Sequence, residues 1–363
     1  MPELRRDERL RLLEEVTQVP GVPGYEEEVA ECLIRWLDGV AEPEYDGLGS
    51  VLFRRAGEEE GPCIMLAGHM DEIGFMVRHI TEDGFIKFQT LGGWWDQVLL
   101  GHRVVVKTRC GDLPGVIGSK PPHILDAEER KKLVTTRKMF IDIGARDREH
   151  AEKELGVRIG DPIIPFSPFT AMGDDDLLMS KAWDDRIGCA LFVDLLHRLT
   201  DEPHPNTVVG VGTVQEEVSL RGASTSVDIV KPDVGIALEV SIAGDVPGVK
   251  DDEATDELGG GPSLLYYDAS MIPNLKLRDL VVDVAEEEGI PLQCSVMSGG
   301  GTDAGRMHLH RSGVPGVVIG VPTRYIHAHA GILSLSDYEK TVDLLTALVK
   351  ALDADTVRSL TRR

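Results

Sequence analysis

Apolar residues in the first part of the chain recur at two different spacings. Residues 4–18 and 25–37 carry apolar side chains at helical spacing, which predicts two amphipathic helices. Two short apolar stretches, residues 49–54 and 63–67, then predict strands. The stretch at 63–67 is uninterrupted, as in a strand that is buried on both faces of a parallel sheet.

The same alternation of strands and helices returns after residue 166. Apolar runs predict strands at residues 207–214, 234–240 and 316–321, and helical spacing predicts helices at residues 186–199, 277–288 and 336–352. The last of these helices starts with Ser336 and Glu339, which have the spacing of a capping box. Strands that alternate with helices indicate a mostly parallel sheet with helices on both faces.

Residues 75–165 have a different pattern, with short strand-like segments separated by glycine-containing turns. Such closely spaced strands predict a small barrel or sandwich. The predicted fold class is therefore α/β, with a mostly parallel sheet interrupted by a small β-rich, barrel-like domain. Residues 1–74 and 166–363 would form the two parts of the α/β domain. A loop of the insert contains Trp94 and Trp95, which either pack against their own domain or mark an interface.

Composition and charge restrict the kinds of partner. With 42% hydrophobic and 28% charged residues, the 363-residue chain is globular. The formal net charge of −24 disfavours nucleic acid and anionic membranes, because phosphate groups are bound by basic surfaces. Five scattered cysteines, several of them in apolar runs, indicate free buried thiols rather than a disulfide framework. No segment has the roughly 18–20 consecutive apolar residues of a membrane helix, and no signal sequence is recognisable, so we expect a cytoplasmic protein.

Histidines and acidic residues follow several of the apolar runs. His69 and Asp71 come directly after the strand at 63–67, and alternate residues of an extended chain point the same way. The other candidates near strand ends are Asp184, Glu216, Glu217, Glu239 and His327. Ligands of an open α/β sheet bind where its strands end, so we expect these side chains to lie close together.

Imidazoles and carboxylates together are ligands that suit a pair of divalent ions such as zinc. Two ions about 3.5–4 Å apart, with one shared carboxylate, activate water and hold the reacting atoms of a hydrolysis. Of two adjacent acids, Glu216 and Glu217, one could bind metal while the other acts as general base. Taken singly, these residues could also form an exposed acidic turn, a helix cap at Asp184 and Asp185, or a surface histidine.

A glycine-rich loop at residues 299–305 precedes a short helix. Backbone amides of such a loop could hold an anion. The loop matches neither a Walker nor a Rossmann pattern and has no flanking lysine, so a carboxylate or peptide backbone is a better ligand than a nucleotide.

Several motifs together resemble one known family over essentially the whole chain. They are residues 68–74 (GHMDEIG), 118–123 (GSKPPH), 181–188 (KAWDDRIG), 215–218 (QEEV), 300–305 (GGTDAG) and 324–327 (RYIH). The chain resembles the TET-type dinuclear metalloaminopeptidases, which include deblocking and glutamyl aminopeptidases and members labelled endoglucanase. The resemblance implies an enzyme that cleaves single residues from peptides with a free N-terminus.

The resemblance also implies roles for individual residues. His69 and Glu239 would bind one ion, Glu217 and His327 the other, and Asp184 would bridge the two. Asp71 would orient His69, and Glu216 would be the general base. The two ions per subunit would be zinc or cobalt. Dimers would assemble into a dodecamer, and the insert at 75–165 would carry the dimer contacts.

Two positions depart from the family pattern, and two alternatives stay open. Glu239 stands where the family commonly has aspartate. After His327 the family usually continues with serine, whereas this chain has Ala328 and then a second histidine, His329. A second imidazole could compete for metal or line the substrate pocket. One alternative is a glycoside hydrolase that uses Glu216 and Asp71 as paired acids. The other is a non-catalytic homologue that keeps only the assembly.

Overall fold

The computed structural model describes residues 3–57, 61–173, 175–250 and 252–361. The helices, in chain order, are α1 (Arg6–Gln18), α2 (Glu27–Trp36), α3 (Ala127–Arg130), α4 (Trp183–Arg198), α5 (Arg221–Val230), α6 (Leu275–Glu288), α7 (Ala304–Met307), α8 (Leu335–Ala351) and α9 (Ala354–Thr361). None of these described helices is long and apolar enough to cross a membrane.

The strands are β1 (Pro43–Tyr45), β2 (Val51–Ala56), β3 (Cys63–His69), β4 (Gly74–Ile80), β5 (Ile86–Leu91), β6 (Arg103–Thr108), β7 (Gly111–Gly118), β8 (Phe140–Asp142), β9 (Pro162–Pro165), β10 (Thr170–Ala171), β11 (Leu177–Ser180), β12 (Thr207–Thr213), β13 (Val234–Ile242), β14 (Ser263–Leu265), β15 (Gln293–Ser295), β16 (Gly316–Arg324) and β17 (Gly331–Ser334). They form one large sheet and one closed barrel.

The large sheet has the strand order β1-β2-β12-β3-β13-β16-β17-β11-β10. Its central strands β12, β3, β13 and β16 are parallel to one another. On either side, β2 and β17 run antiparallel to their central neighbours, and β14 pairs antiparallel with β16 and carries β15. Because parallel central strands are buried on both faces, they have uninterrupted apolar sequences. The predicted α/β fold is confirmed.

Helices cover both faces of this sheet. On one face, α1, α4 and α8 pack over the strands, and Leu12, Phe192 and Leu345 are fully buried in that core. On the other face, Val227 of α5 and Met307 of α7 pack over a smaller core. Both helical layers therefore shield the strands that end at the acidic and histidine residues.

Close approach of α4 to β3 depends on two glycines. A Cβ atom built on Gly68 would lie 2.4 Å from the backbone carbon of Gly188 and 2.7 Å from the nitrogen of Cys189. Real Cβ atoms do not come this close to backbone, so only glycine permits the contact. The contact brings the first residues of α4 beside His69, the last residue of β3.

The insert forms a closed barrel with the strand order β4-β5-β8-β7-β6-β9. The barrel has its own core, which includes the buried side chains of Phe75, Val106 and Ile141. This confirms the predicted barrel-like interruption of the α/β fold. The assignment of residues 75–165 to dimerisation stays a prediction.

Three local predictions are wrong. The N-cap of α8 is Ser334, whose hydroxyl accepts from the amide of Asp337 at 3.2 Å, so Ser336 and Glu339 do not form the capping box. The Ser336 hydroxyl instead donates to Asp176 at 3.1 Å. The apolar pattern also misses α5. All five cysteines are free, as expected, but Cys110 and Cys294 are exposed rather than buried.

Candidate metal centre

The predicted site residues meet where the central strands of the sheet end. His69 is the last residue of β3, Glu239 lies near the end of β13, and His327 follows β16. The remaining predicted members are Asp71 after β3, Asp184 at the start of α4, and Glu216 and Glu217 after β12. We call these seven residues the acid–histidine cluster. Parallel strands with a common direction bring their ends to one edge, which explains why distant residues meet here.

Asp184 lies between the two histidines. Its Oδ1 is 3.1 Å from Nε2 of His69, and its Oδ2 is 3.1 Å from Nε2 of His327. Glu217 approaches the same His327 nitrogen, with Oε1 at 3.3 Å. One carboxylate that faces two imidazoles through separate oxygens has the arrangement of a carboxylate that bridges two ions.

Two sets of ligand atoms are compact enough for an ion. The atoms of His69, Asp184 and Glu217 lie within 4.8 Å of one another, and so do those of His69, Asp185 and Glu239. Asp185 was predicted only as a possible helix cap. Its Oδ1 accepts from the amide of Gly188 at 3.1 Å, as a cap does, and its Oδ2 accepts from the amide of His69 at 2.9 Å. Asp185 therefore both caps α4 and approaches His69, whereas Asp184 faces both histidines.

Asp71 organises the turn that carries the adjacent glutamates. Its two carboxylate oxygens accept from the amides of Glu216, at 2.9 Å, and Glu217, at 3.1 Å. Its own carbonyl oxygen is 2.9 Å from Nδ1 of His69, whereas its carboxylate is 3.5 Å from that nitrogen. A partner on Nδ1 leaves Nε2 facing Asp184, the usual way in which a ligand histidine is oriented.

The turn itself has an unusual backbone. Gln215, Ser219 and Leu220 all have left-handed conformations, with φ of 56°, 96° and 55°. Such conformations cost free energy in residues other than glycine, and they persist where surrounding structure enforces them. Here they turn both acidic side chains inward after β12. Glu216 is 8% exposed, and its Oε2 is 3.8 Å from Nε2 of His69.

His327 is oriented by the barrel. Its Nδ1 is 2.7 Å from the carbonyl oxygen of Gly93, which lies in the loop after β5. A Cβ atom on Gly93 would be 3.0 Å from that same nitrogen. Sequence reasoning missed this residue, because the interaction uses a backbone carbonyl that every residue type carries. The insert thus contributes directly to the arrangement of the site.

Burial and like charges control the protonation of the cluster. Burial raises the pKa of Glu216, Glu217 and Glu239, and neighbouring carboxylates add to the shift. Burial alone would lower the pKa of His327, but the adjacent carboxylates of Asp184 and Glu217 raise it to about 11. The positive charge of the histidines offsets some of the repulsion among these buried acids.

The donor set fits divalent cations. Oε1 of Glu217 is buried and faces Nε2 of His327 at 3.3 Å, but it has no hydrogen bond of good geometry among the described residues, and buried carboxylate oxygens ordinarily have one. The cluster combines imidazole nitrogens with carboxylate oxygens, which are zinc ligands. Cations would also neutralise a group of acids that burial otherwise drives towards their protonated form.

A further buried acid, Asp303, lies close to the cluster. Its Oδ2 accepts from the hydroxyl of Thr213 at 2.5 Å, while its Oδ1 has no partner among the described residues. Burial raises its pKa to about 6. The sequence predicts a ligand-binding glycine-rich loop here but assigns no separate role to the Asp303 side chain. In that loop the amides of Thr302 and Gly305 already donate within the protein, to Ser270 and to Thr302.

His329 does not join the acid–histidine cluster. It is buried, and its ring stacks on that of His102 with centroids 3.7 Å apart. Neither ring nitrogen has a partner among the described residues, and burial lowers its pKa to about 3. Of the adjacent tryptophans, Trp94 stacks on Phe75 within its own domain, and Trp95 is 61% exposed. A role for Trp95 at an interface stays a prediction.

Solved structures of similar proteins share this fold over nearly their whole length. A TET aminopeptidase from the marine sediment archaeon Thaumarchaeota archaeon SCGC AB-539-E09 superposes with a TM-score of 0.96 and 51% identity, covering 98% of this chain and 99% of that one. The Pyrococcus horikoshii TET1 peptidase, which can assemble into a tetrahedron or a large octahedral shell, has a TM-score of 0.83 and 32% identity over 94% and 99% of the chains.

Sequence comparison leads to the same group of enzymes. The glutamyl aminopeptidase of Lactococcus lactis subsp. cremoris (strain MG1363) is 36% identical over 95% of this chain and 97% of its own. Residues 49–344 match the family model described as M42 glutamyl aminopeptidase. The resemblance inferred from the motifs is confirmed: the chain belongs to the M42 family of aminopeptidases.

Proposed function

We propose that this aminopeptidase works through two divalent ions, zinc or cobalt. His69 and Glu239 would hold one ion, Glu217 and His327 the other, and Asp184 both. The observation that carries the proposal is the position of Asp184, whose two oxygens face the two histidines at 3.1 Å each. When bound, such ions would supply Lewis-acid activation of the scissile carbonyl and of the attacking water.

Glu216 is the proposed general base. It is buried beside His69, and its Oε2 lies 3.8 Å from Nε2 of that histidine, too far for a hydrogen bond that would occupy this oxygen. Glu216 would accept a proton from the water and pass it to the nitrogen of the leaving peptide. Asp71 would act as a positioning residue, because it holds the amides of both glutamates. Carboxylates of the cluster would also receive the free α-ammonium group of the substrate.

Chelation tests the proposal. Release of amino acids from a panel of aminoacyl-p-nitroanilides should disappear with a chelator and return when zinc or cobalt is added. Elemental analysis should find two ions per chain. Activity that survives removal of metal would contradict the proposal and favour the glycoside hydrolase alternative. Fewer than two ions together with no peptidase activity would favour the non-catalytic alternative.

Glu216→Gln tests the general base separately. The variant should bind two ions but lose turnover, since the amide cannot accept the proton of water. Glu257→Gln provides a matched control, because Glu257 is exposed and lies outside the cluster. Near-normal turnover in Glu216→Gln would refute the assigned role. Loss of metal from that variant would instead move Glu216 into the ligand set.

The glycoside hydrolase alternative needs Asp71 as a free acid. Both of its carboxylate oxygens accept backbone amides, and the residue is fully buried. A fully buried carboxylate that is fixed by two backbone amides cannot reach a sugar, as the acid of a glycoside hydrolase must. We therefore retain the peptidase proposal alone.

Self-assembly is the second part of the proposal. We propose that dimers form through the barrel and combine into a dodecamer, with the exposed Trp95 at the dimer contact. Light scattering should give the mass of a dodecamer of 39.7 kDa chains. Trp95→Ser should reduce that mass, whereas the same change at Tyr45, an exposed aromatic outside the barrel, should not. An unchanged mass for Trp95→Ser would contradict the assigned contact.

A further inference from the structure

The cavity that contains the acid–histidine cluster continues past it over the sheet. The cavity has a volume of about 1280 Å³ and extends across β13, β16, β14 and β15. Strand register sets Glu239 opposite Gly320, and Gly320 opposite Ser263. A channel therefore leads from Glu239 across the neighbouring strands. Gly320, the first residue along it, has no side chain that would block the channel.

The floor of this channel is made of small residues. Ser241 lies two residues beyond Glu239, on the same face of β13. A Cβ atom on Gly320 would come within 3.3 Å of the Cβ of Ser241. Further across, the hydroxyls of Ser263 and Ser295 are 3.1 Å apart. Small residues in a row leave space beside Glu239 that a ligand side chain can occupy.

One floor hydroxyl lacks a partner. Ser241 is 6% exposed, and its Oγ has no hydrogen-bond partner among the described residues. Buried hydroxyls are ordinarily paired, so this group is available to a ligand. Apolar side chains form the walls around the floor: Ile242, Leu265, Met297 and Val318.

Outside the acid–histidine cluster, the described lining of the cavity has no cationic side chain that could pair with an acidic ligand. Among the described residues that line it, none is lysine or arginine, and the histidines belong to the acid–histidine cluster. Two exposed acids, Asp252 and Glu253, stand at its rim. Among the described lining side chains outside the acid–histidine cluster, a negatively charged group would meet only hydroxyls, apolar groups and other negative charges.

We propose that this channel receives the side chain of the N-terminal residue and selects uncharged residues over acidic ones. The proposal rests on the aminopeptidase function proposed above. Serine hydroxyls and apolar walls satisfy an amide or an aliphatic group. A carboxylate of the same shape would be buried without a counter-charge, which is far more costly. Long basic side chains rank between the two, because their charged ends can reach the acids at the rim.

Pairs of isosteric substrates test the selection directly. Glutamine and glutamate, or asparagine and aspartate, differ in charge but hardly in shape. With the metal-loaded enzyme, kcat/KM for Gln-p-nitroanilide should exceed that for Glu-p-nitroanilide at least about 100-fold, and Lys-p-nitroanilide should fall between them. Equal or faster cleavage of the glutamyl substrate would overturn the selection while leaving the peptidase function intact. No release from any substrate would overturn both.

A charge reversal at the rim provides a second test. Glu253→Lys should raise the ratio of glutamyl to glutaminyl cleavage about tenfold, because it replaces a repulsive charge by an attractive one. Glu287→Lys makes the same change on the exposed end of α6, outside the cavity, and should leave the ratio as it is in the natural protein. Equal ratios in the two variants would overturn the electrostatic basis of the selection.

Discussion

Replacement of Gly93 by alanine should weaken the binding of one metal ion without unfolding the protein. The added Cβ would lie 3.0 Å from Nδ1 and 3.3 Å from Cε1 of His327, closer than ordinary contact. The imidazole must move by a few tenths of an ångström, and its 2.7 Å contact with the Gly93 carbonyl must lengthen. The backbone of Gly93 is not in the left-handed region, so alanine is otherwise tolerated there.

The magnitude follows from the loss of one orienting hydrogen bond. Such a partner of a ligand histidine is worth about 10–100-fold in metal affinity. That range corresponds to about 1.4–2.7 kcal/mol of binding free energy. Only the ion bound by His327 and Glu217 should be affected. The ion bound by His69 and Glu239 should keep its affinity.

Zinc titration of the metal-free protein against a chromophoric chelator measures both affinities. The natural protein should show two tight sites, and Gly93→Ala one tight and one weakened site. Gly47→Ala is the matched control, because a Cβ atom there meets nothing within 4 Å. Two unchanged affinities in Gly93→Ala would refute the idea that the barrel orients His327. Equal weakening of both sites would point to a general disturbance instead.

Three further variants test the packing and charge of the fold, each by urea unfolding. Burial, together with the nearby Asp71, raises the pKa of Glu26 to about 7. The folded protein therefore favours protonated Glu26, and the stability that this group contributes is fully present below pH 4.5 and is lost as the pH rises through 7. At pH 8 the free energy of unfolding of Glu26→Gln should therefore exceed that of the natural protein by up to about 3 kcal/mol, whereas at pH 4.5 the two should be similar. A difference that does not depend on pH would contradict this. The free energy of unfolding of Arg186→Met should fall by about 3–5 kcal/mol, because the buried guanidinium donates to three carbonyls and lies 3.5 Å from Glu72. A decrease below about 1 kcal/mol would contradict that account. Leu191→Ala should cost about 2–5 kcal/mol because the side chain is fully buried, and an unchanged midpoint would show that the site collapses around the smaller residue.

Strand ends were the most predictable part of the site. Uninterrupted apolar runs identify buried strands, and in a parallel sheet the residues after such runs share one edge. His69 and Glu239 could be placed near each other on this basis alone. The barrel was likewise predictable, because the pattern of apolar residues changes at residues 75–165 to that of short, closely spaced strands.

Other features depend on information that residue patterns do not carry. Two serines, Ser334 and Ser336, are equally plausible caps, and strand β17 before the helix decides between them. The contact of His327 with Gly93 joins residues far apart in sequence through a backbone atom. Asp185 and Asp184 are adjacent and chemically identical. Only the backbone path at the start of α4 makes Asp185 accept from two backbone amides while Asp184 faces both histidines.

The order of strands in the sheet has a consequence for synthesis of the protein. β3 carries His69, but its neighbours β12 and β13 are encoded after the whole barrel. All barrel strands are local to one segment, so we expect the barrel to close while β3 still lacks partners, because contacts between distant residues form later. His327 leaves the ribosome only after the barrel and the four central strands of the sheet have been synthesised. A nascent chain therefore cannot assemble the acid–histidine cluster before His327 has been added, and we expect it to be inactive until then.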